Sequence, residues 1–157
     1  MAQALNIARW FNLTLTQSGA DAFVQASVAT DIVPEDGVIL KVVGIDVQIA
    51  NNLAALAADT YIEWSLTRAT KTATAQLSDD SCFMADAIAF SLTTSGVGVI
   101  RQTFRYENPV GLYLVEPTLY GQLDSVGGAG AFTALMRVFY EEARASETDI
   151  LRILNNS

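Results

Sequence analysis

The sequence predicts an all-β domain of eight antiparallel strands, a sandwich or barrel, with one short helix at its C-terminal end. Three observations lead there. Apolar and polar residues alternate with period two along most of the 157 residues, as half-buried strands require. Turn-forming clusters separate the alternating runs into lengths typical of strands. The length suits roughly one domain and is enough to bury a core without disulfides or a structural metal.

The runs follow in order. Ile7 to Thr16 is the first, with Arg9, Phe11, Leu13 and Leu15 on one face. Ser18-Gly19-Ala20-Asp21 turns the chain into a second run, Ala22 to Val33, which Pro34-Glu35-Asp36-Gly37 closes. Val38 to Ala50 is the third, where Ile45, Val47 and Ile49 alternate with Asp46 and Gln48. After a loop or single helical turn at Asn51 to Asp59, the fourth run, Thr60 to Thr70, sets Ile62, Trp64 and Leu66 opposite Glu63, Ser65 and Thr67. Lys71 to Asp80 reads as a polar loop, Ser81 to Leu92 as the fifth run and Gly96 to Tyr106 as the sixth. Asn108-Pro109 is expected to turn the chain into a seventh run, Gly111 to Leu123, with an edge, bulge or bend at Glu116-Pro117. Asp124 to Gly130, rich in glycine, reads as a hairpin-type connection into the eighth run, Ala131 to Glu142.

The ending changes period. Ser146-Glu147-Thr148-Asp149 precedes Ile150, Leu151, Ile153 and Leu154. Ser146 and Asp149 can cap each other's amides, and the acids suit a helix N-terminus. A short amphipathic helix at about 146–154 is expected, too short to hold alone in water. We divide the chain into a sandwich domain over 1–145 and a helical tail over 146–157.

Composition excludes several function classes. Hydrophobic residues make up 51% and charged residues 17%, below the roughly 25% charged of an average domain. Disordered chains show the reverse, and no apolar stretch is long enough for a membrane-spanning helix. The net charge of −8 is opposite to that of nucleic-acid-binding domains. With no histidine and one cysteine, mechanisms that need a His base, a His ligand or a Cys framework are out. The chain opens Met1-Ala2-Gln3-Ala4-Leu5-Asn6, which does not read as a signal peptide. The sequon Asn12-Leu13-Thr14 lies in a strand-like run and is discounted.

Candidate chemistry is sparse. Cys82 sits among apolar neighbours and reads as a buried, inert thiol. A serine nucleophile would need Lys41 or Lys71 as its base, and neither is placed for that. Glu63, Glu116, Asp46 and Asp86 could pair across a cleft, as carboxylates do in glycoside hydrolysis, but alternation puts them on solvent-facing strand sides. The acidic groups Asp31, Glu35, Asp36 and Asp79-Asp80 lack the spacing of a calcium loop. Arg101 and Arg105 near Tyr106 suit ion pairing or an interface better than base stacking. We therefore expect no enzyme, no cofactor and no metal.

The more informative signal is apolar residues on both faces of a strand. Trp10 opposes Phe11, Leu135 and Phe139 oppose the Phe132 face, and Tyr113, Val115 and Tyr120 double the seventh run. A strand face left to water should be polar. These residues are either covered within one subunit or meet other subunits, and aromatics and Arg are enriched in such contacts. Candidate interface residues are Trp10, Tyr113, Tyr120, Leu135, Phe139 and the tail residues Ile150, Leu151, Ile153 and Leu154.

Eight strands with an interface-prone acidic surface resemble the single jelly-roll coat subunits of icosahedral viruses. Ala131 to Glu142 followed by Ser146 to Leu154 looks like a last barrel strand and a docking tail. Many RNA-virus coats of this class carry a basic N-terminal arm that binds the genome. Here Arg9 is the only basic residue before Lys41, so direct nucleic-acid contact is not expected. The chain looks more like small barrel proteins of tailless or membrane-containing DNA viruses, or a cement or spike protein. The resemblance implies an eight-stranded jelly-roll made in a host cytoplasm and incorporated in a virion. It would assemble with itself and other virion proteins, without membrane insertion, through interfaces of roughly 1,200–2,000 Å². The alternative is a lectin-like or adhesion β-sandwich module that binds through loop aromatics and acidic loop residues with calcium.

Overall fold

A computed structural model describes residues 9–30, 32, 36–50, 59–90 and 102–155. Its strands are β1 (Arg9–Thr16), β2 (Val24–Ala29), β3 (Val38–Ala50), β4 (Thr60–Thr67), β5 (Cys82–Phe90), β6 (Gln102–Leu114), β7 (Thr118–Val126) and β8 (Thr133–Arg144). One helix, α1 (Glu147–Asn155), follows. The strands form two four-stranded antiparallel sheets, ordered β1-β8-β3-β6 and β2-β7-β4-β5. The ladders β1·β8, β2·β7, β3·β6 and β4·β5 nest like one long hairpin. Rolling that hairpin up adds β3·β8 and β4·β7. The result is the eight-stranded jelly roll.

Alternation explains which side of each strand is buried. Leu13 and Leu15 of β1, Ile45, Val47 and Ile49 of β3, Ile62, Trp64 and Leu66 of β4, and Ala134, Met136 and Val138 of β8 all face the space between the sheets. Phe132, just ahead of β8, is fully buried with them. Gly121 of β7 faces the same space. A Cβ there would stand 3.2 Å from Met136 Sδ and 3.3 Å from the methyls of Leu13 and Leu15, so the missing side chain is what lets the opposite sheet pack in.

Two turn readings need correction. Asn108-Pro109 does not separate two strands, because β6 runs through it. The pairing of β3 with β6 jumps from Val42↔Leu112 to Gly44↔Glu107, so residues 108–111 form a large bulge and the ladder resumes beyond it. The true crossing to the next strand is at Glu116-Pro117, where a bend was expected. Asp124 to Gly130 does not make a hairpin either: β7 and β8 lie in different sheets, so this segment bridges the sandwich. It is clasped at its start. Asp21, in a left-handed conformation (φ 51°), accepts bonds from the amides of Gly127 at 3.1 Å and Gly128 at 2.9 Å. Gly127 itself has φ 74°, which favours glycine.

The C-terminal helix forms with the expected cap. Ser146 Oγ accepts from the Asp149 amide, and Asp149 Oδ2 accepts from the Ser146 amide, each at 3.3 Å. The Ser146 bonds hold the Asp149 carboxyl below its ordinary value. The expected loop as far as residue 58, half of the Pro34-Glu35-Asp36-Gly37 turn, the starts of the first and sixth runs (Arg101 included) and parts of the ends of the second and fifth lie outside the described residues.

Candidate interaction surface

The two outer faces of the sandwich are finished differently. On the β2-β7-β4-β5 sheet, the segment 68–81 between β4 and β5 crosses the outer face as a strap. Beneath it Ser65, Thr67 and Gln122 are buried, although alternation alone puts them on a solvent-facing side. Gln122 Nε2 donates to Thr67 Oγ1 at 2.8 Å and to Gln25 Oε1 at 3.0 Å, while its Oε1 accepts from Ser65 Oγ at 2.7 Å. The strap joins the network through its own backbone: the Ala75 amide donates to Ser65 Oγ and the Lys71 amide to Gln25 Oε1. Lys71 and Ser81 hold the Asp79 carboxyl, whose pKa falls to about 2.

The β1-β8-β3-β6 sheet has no such strap among the described residues. Its outer face runs in cross-strand rows set by register. In one row Trp10 sits opposite Phe139, beside Gly44. Their rings lie 6.5 Å apart, tilted by 54°. Trp10 is 55% exposed, and the Arg137 guanidinium lies 5.9 Å from its ring centre. The next row holds Asn12, Arg137, Asp46 and Arg105. Arg105 grips Asp46 with two bonds of 2.9 and 3.1 Å, which lowers the Asp46 pKa against the effect of burial. Arg137 Nε donates to Asn12 at 3.0 Å. Leu135, half-buried and opposite Thr14, lies one row beyond, so the charged row separates it from Trp10 and Phe139.

Near the other end of this face, Lys41 and Glu141 pair in register with Tyr113 beside them. There α1 folds back toward the sheet. Ile39, Tyr113, Ala143, Ala145, Arg152 and Ile153 line a groove of about 360 Å³. Ile150 and Ile153 are half-buried and Leu151 remains exposed. The side chain of Leu154 lies outside the described residues.

The structure thus sorts the candidate interface residues into three places. Trp10 and Phe139 come together on one sheet face, open among the described residues, and Leu135 lies on that face beyond the charged row. Tyr113 joins the tail residue Ile153 at the groove. Tyr120 lies apart, on the outer face of the opposite sheet, opposite Thr67. Residues not singled out earlier include Arg137, in the middle of the open face, and Tyr61, whose signal was available: parity with the inward Ile62, Trp64 and Leu66 already put it outside.

Three of the four candidate carboxylates have partners of their own, and Glu63 shares the edge of one hollow with Asp86. Asp46 is held by Arg105 and Glu116 by Arg68 at 3.3 Å. Asp86 pairs in register with the inward-facing Trp64, so it lies on the inner side at the β5–β6 edge and not on the outer face. There it accepts from the Tyr106 hydroxyl, bridging the two sheets. Burial, and then Asp86, push the Tyr106 phenol well above its ordinary value. Burial also raises the Cys82 thiol, whose Sγ donates to the Met84 carbonyl. No group of three or more His, Cys, Asp or Glu side chains could hold a metal among the described residues, and none of their helices is long and apolar enough to cross a membrane.

No protein-family model matches the chain, and no curated protein matches it in sequence. The likeness is found in solved structures. A chain of the unassembled KI polyomavirus VP1 pentamer matches with a TM-score of 0.53 and 7% identity, covering 93% of this chain and 98% of that one. Dimeric latent PorU from Porphyromonas gingivalis gives 0.48 at 11% identity, covering 90% of this chain and 13% of that one. A chain of Desmodium yellow mottle tymovirus gives 0.39 at 10%, covering 94% of each. The chain thus shares a β-sandwich fold with the VP1 chain at low identity and high coverage.

Proposed function

We propose that this protein is a structural virion component, a capsid subunit or capsid-associated protein, that assembles through the open face of the β1-β8-β3-β6 sheet and through α1. The carrying observation is the exposed Trp10 packed on Phe139 on an outer sheet face, with Leu135 further along the same face. Water disfavours such a face, and burial against another subunit would stabilise it at roughly 25 cal/mol per Å² of apolar area. An Arg stacked on a Trp is the composition of interface centres. The jelly-roll fold is compatible with this role but does not establish it. No catalytic step is assigned to any residue.

Sedimentation or mass photometry of the purified protein near neutral pH tests the reading. Particles or defined oligomers are expected, and removal of residues 146–157 should weaken them. A strictly monomeric species at high concentration, absent from any particle, overturns it. Assembly unchanged by the deletion removes α1 from the contact.

A further inference from the structure

Charge is distributed unequally between the two outer faces. On the open face Arg105 is matched by Asp46 and Lys41 by Glu141. Arg137 has only Asn12, the Trp10 ring and the already bidentate Asp46 around it. At the Trp10 end of that face it is a cation with no ion pair of its own among the described residues.

The opposite sheet carries the reverse imbalance. Glu63 of β4 and Asp124 of β7 stand directly opposite each other in register. Like charges so placed repel, and neither has a cationic partner among the described residues. Glu63 receives only the Thr74 hydroxyl. Burial, and then Asp124, raise its pKa, as expected where no counter-ion compensates the charge. The next pair along the same two strands is Tyr61 and Val126. They are 40% and 63% exposed, and Leu77 of the strap, 70% exposed, rises beside them. Between the strap and β5, the small side chains of Ala85 and Ala87 leave a hollow of about 170 Å³ reaching Tyr61 and Glu63.

Among the described side chains, each outer face therefore has an exposed apolar residue next to a charge without an ion pair, and the two charges are opposite in sign. We infer that the Trp10/Arg137 face of one copy docks on the Tyr61/Glu63/Asp124/Val126 face of the next, so that copies associate head to tail. This rests on the self-assembly proposed above and specifies its geometry. A two-fold contact centred on Arg137 would place it near a second Arg137, whereas the head-to-tail contact gives Arg137 two carboxylates and Trp10 an apolar seat. Such a heterologous contact closes into a ring where the rotation per copy permits and otherwise extends as a filament.

Two exposed-site variants test it, Trp10→Asp for one face and Val126→Asp for the other, each first shown to keep the wild-type circular-dichroism spectrum. Alone, each should sediment as a monomer at concentrations where wild type assembles. Mixed in equal amounts they should form a dimer and stop there, because the intact face of one meets the intact face of the other and both remaining faces are blocked. Wild type that assembles while Val126→Asp assembles equally well overturns the head-to-tail geometry and leaves self-assembly standing. So does a mixture that stays monomeric. Wild type that never assembles removes both.

Discussion

The two sheets of this sandwich follow the same alternating pattern and present opposite outer surfaces. On β2-β7-β4-β5 the outward residues are polar, yet Ser65, Thr67 and Gln122 are buried because the strap lies over them. On β1-β8-β3-β6 the outward residues include Trp10 and Phe139, yet the face is open. A buried polar group is tolerable only when hydrogen-bonded, and the Gln122 network meets that condition within one chain. The exposed Trp10 finds no such cover among the described residues. The strapped face is thus locally satisfied, while the other carries an aromatic side chain that the described residues leave open. The sharpest way to break this contrast is at Gln122. Gln122→Ala leaves the buried Ser65 hydroxyl without its acceptor and takes a donor from Thr67 Oγ1, which keeps its bond to the Ala69 carbonyl. An unsatisfied buried group costs about 1–3 kcal/mol, and the lost side chain leaves a cavity besides. A loss of about 3 kcal/mol in urea unfolding is expected, with faster proteolysis within 68–81. A loss below about 1 kcal/mol would mean that the strap is held by Lys71–Asp79 and its turn, and that the network merely fills space.

The strapped face also shows what a sequence can and cannot convey. Period two correctly separated Ile62, Trp64 and Leu66 from Glu63, Ser65 and Thr67. It could not show that the outer set would be covered, because covering depends on where a loop lands. Turn chemistry has a similar limit. Asn108-Pro109 marks where the chain leaves the β3 ladder, but a four-residue bulge and a true reversal look alike until the partner strand is known. The glycine-rich segment after Asp124 showed a tight connection and not which sheet it reaches. The outward placement of Trp10 and Phe139 was legible because they break a polar alternation locally. Their separation from Tyr120 was not, since that depends on which strands share a sheet. The α1 start, by contrast, was legible in full because a capping box is local.

That cap supplies the second test. Among the described elements α1 is the helix that reaches the open sheet, over Ile39 and Tyr113. Ser146→Ala removes a bond to the Asp149 amide and should cost about 1 kcal/mol, enough to melt a nine-residue helix that has little stability of its own. Loss of the helical circular-dichroism signal, with the β signal and the main unfolding transition unchanged, is expected. A main transition that falls with it would show that α1 belongs to the sandwich core.

A smaller effect, of opposite sign, is expected at Glu63. Its folded pKa is raised above 4.5, so the fold favours the protonated form. Its contribution is fully present below about pH 4.5 and is lost as pH rises through the folded value. Glu63→Gln should therefore raise the melting temperature of the monomer slightly at pH 7, and the difference should vanish below about pH 4. In assembled protein the sign should reverse, because the carboxylate would then have lost its Arg137 partner on a neighbouring copy. A variant equal to wild type at both pH values would place Glu63 in ordinary solvent.

The smallest effect on the fold is expected at Trp10, the residue on which the functional reading depends most. Its packing on Phe139 is one cross-strand pair on an outer face, worth roughly 0.2–1 kcal/mol. Trp10→Ser should therefore leave the unfolding midpoint of the dilute monomer almost unchanged while weakening self-association by tenfold or more, since about 1.4 kcal/mol of lost interface energy is a factor of ten. Few residues separate stability from assembly so cleanly, because an internally satisfied side chain such as Gln122 cannot be removed without the monomer registering it. If Trp10→Ser destabilises the monomer by several kcal/mol, Trp10 is covered by the chain itself and the open face is not a docking surface. If it disturbs neither quantity, Trp10 is merely a tolerated surface aromatic and the contact must be sought at the α1 groove.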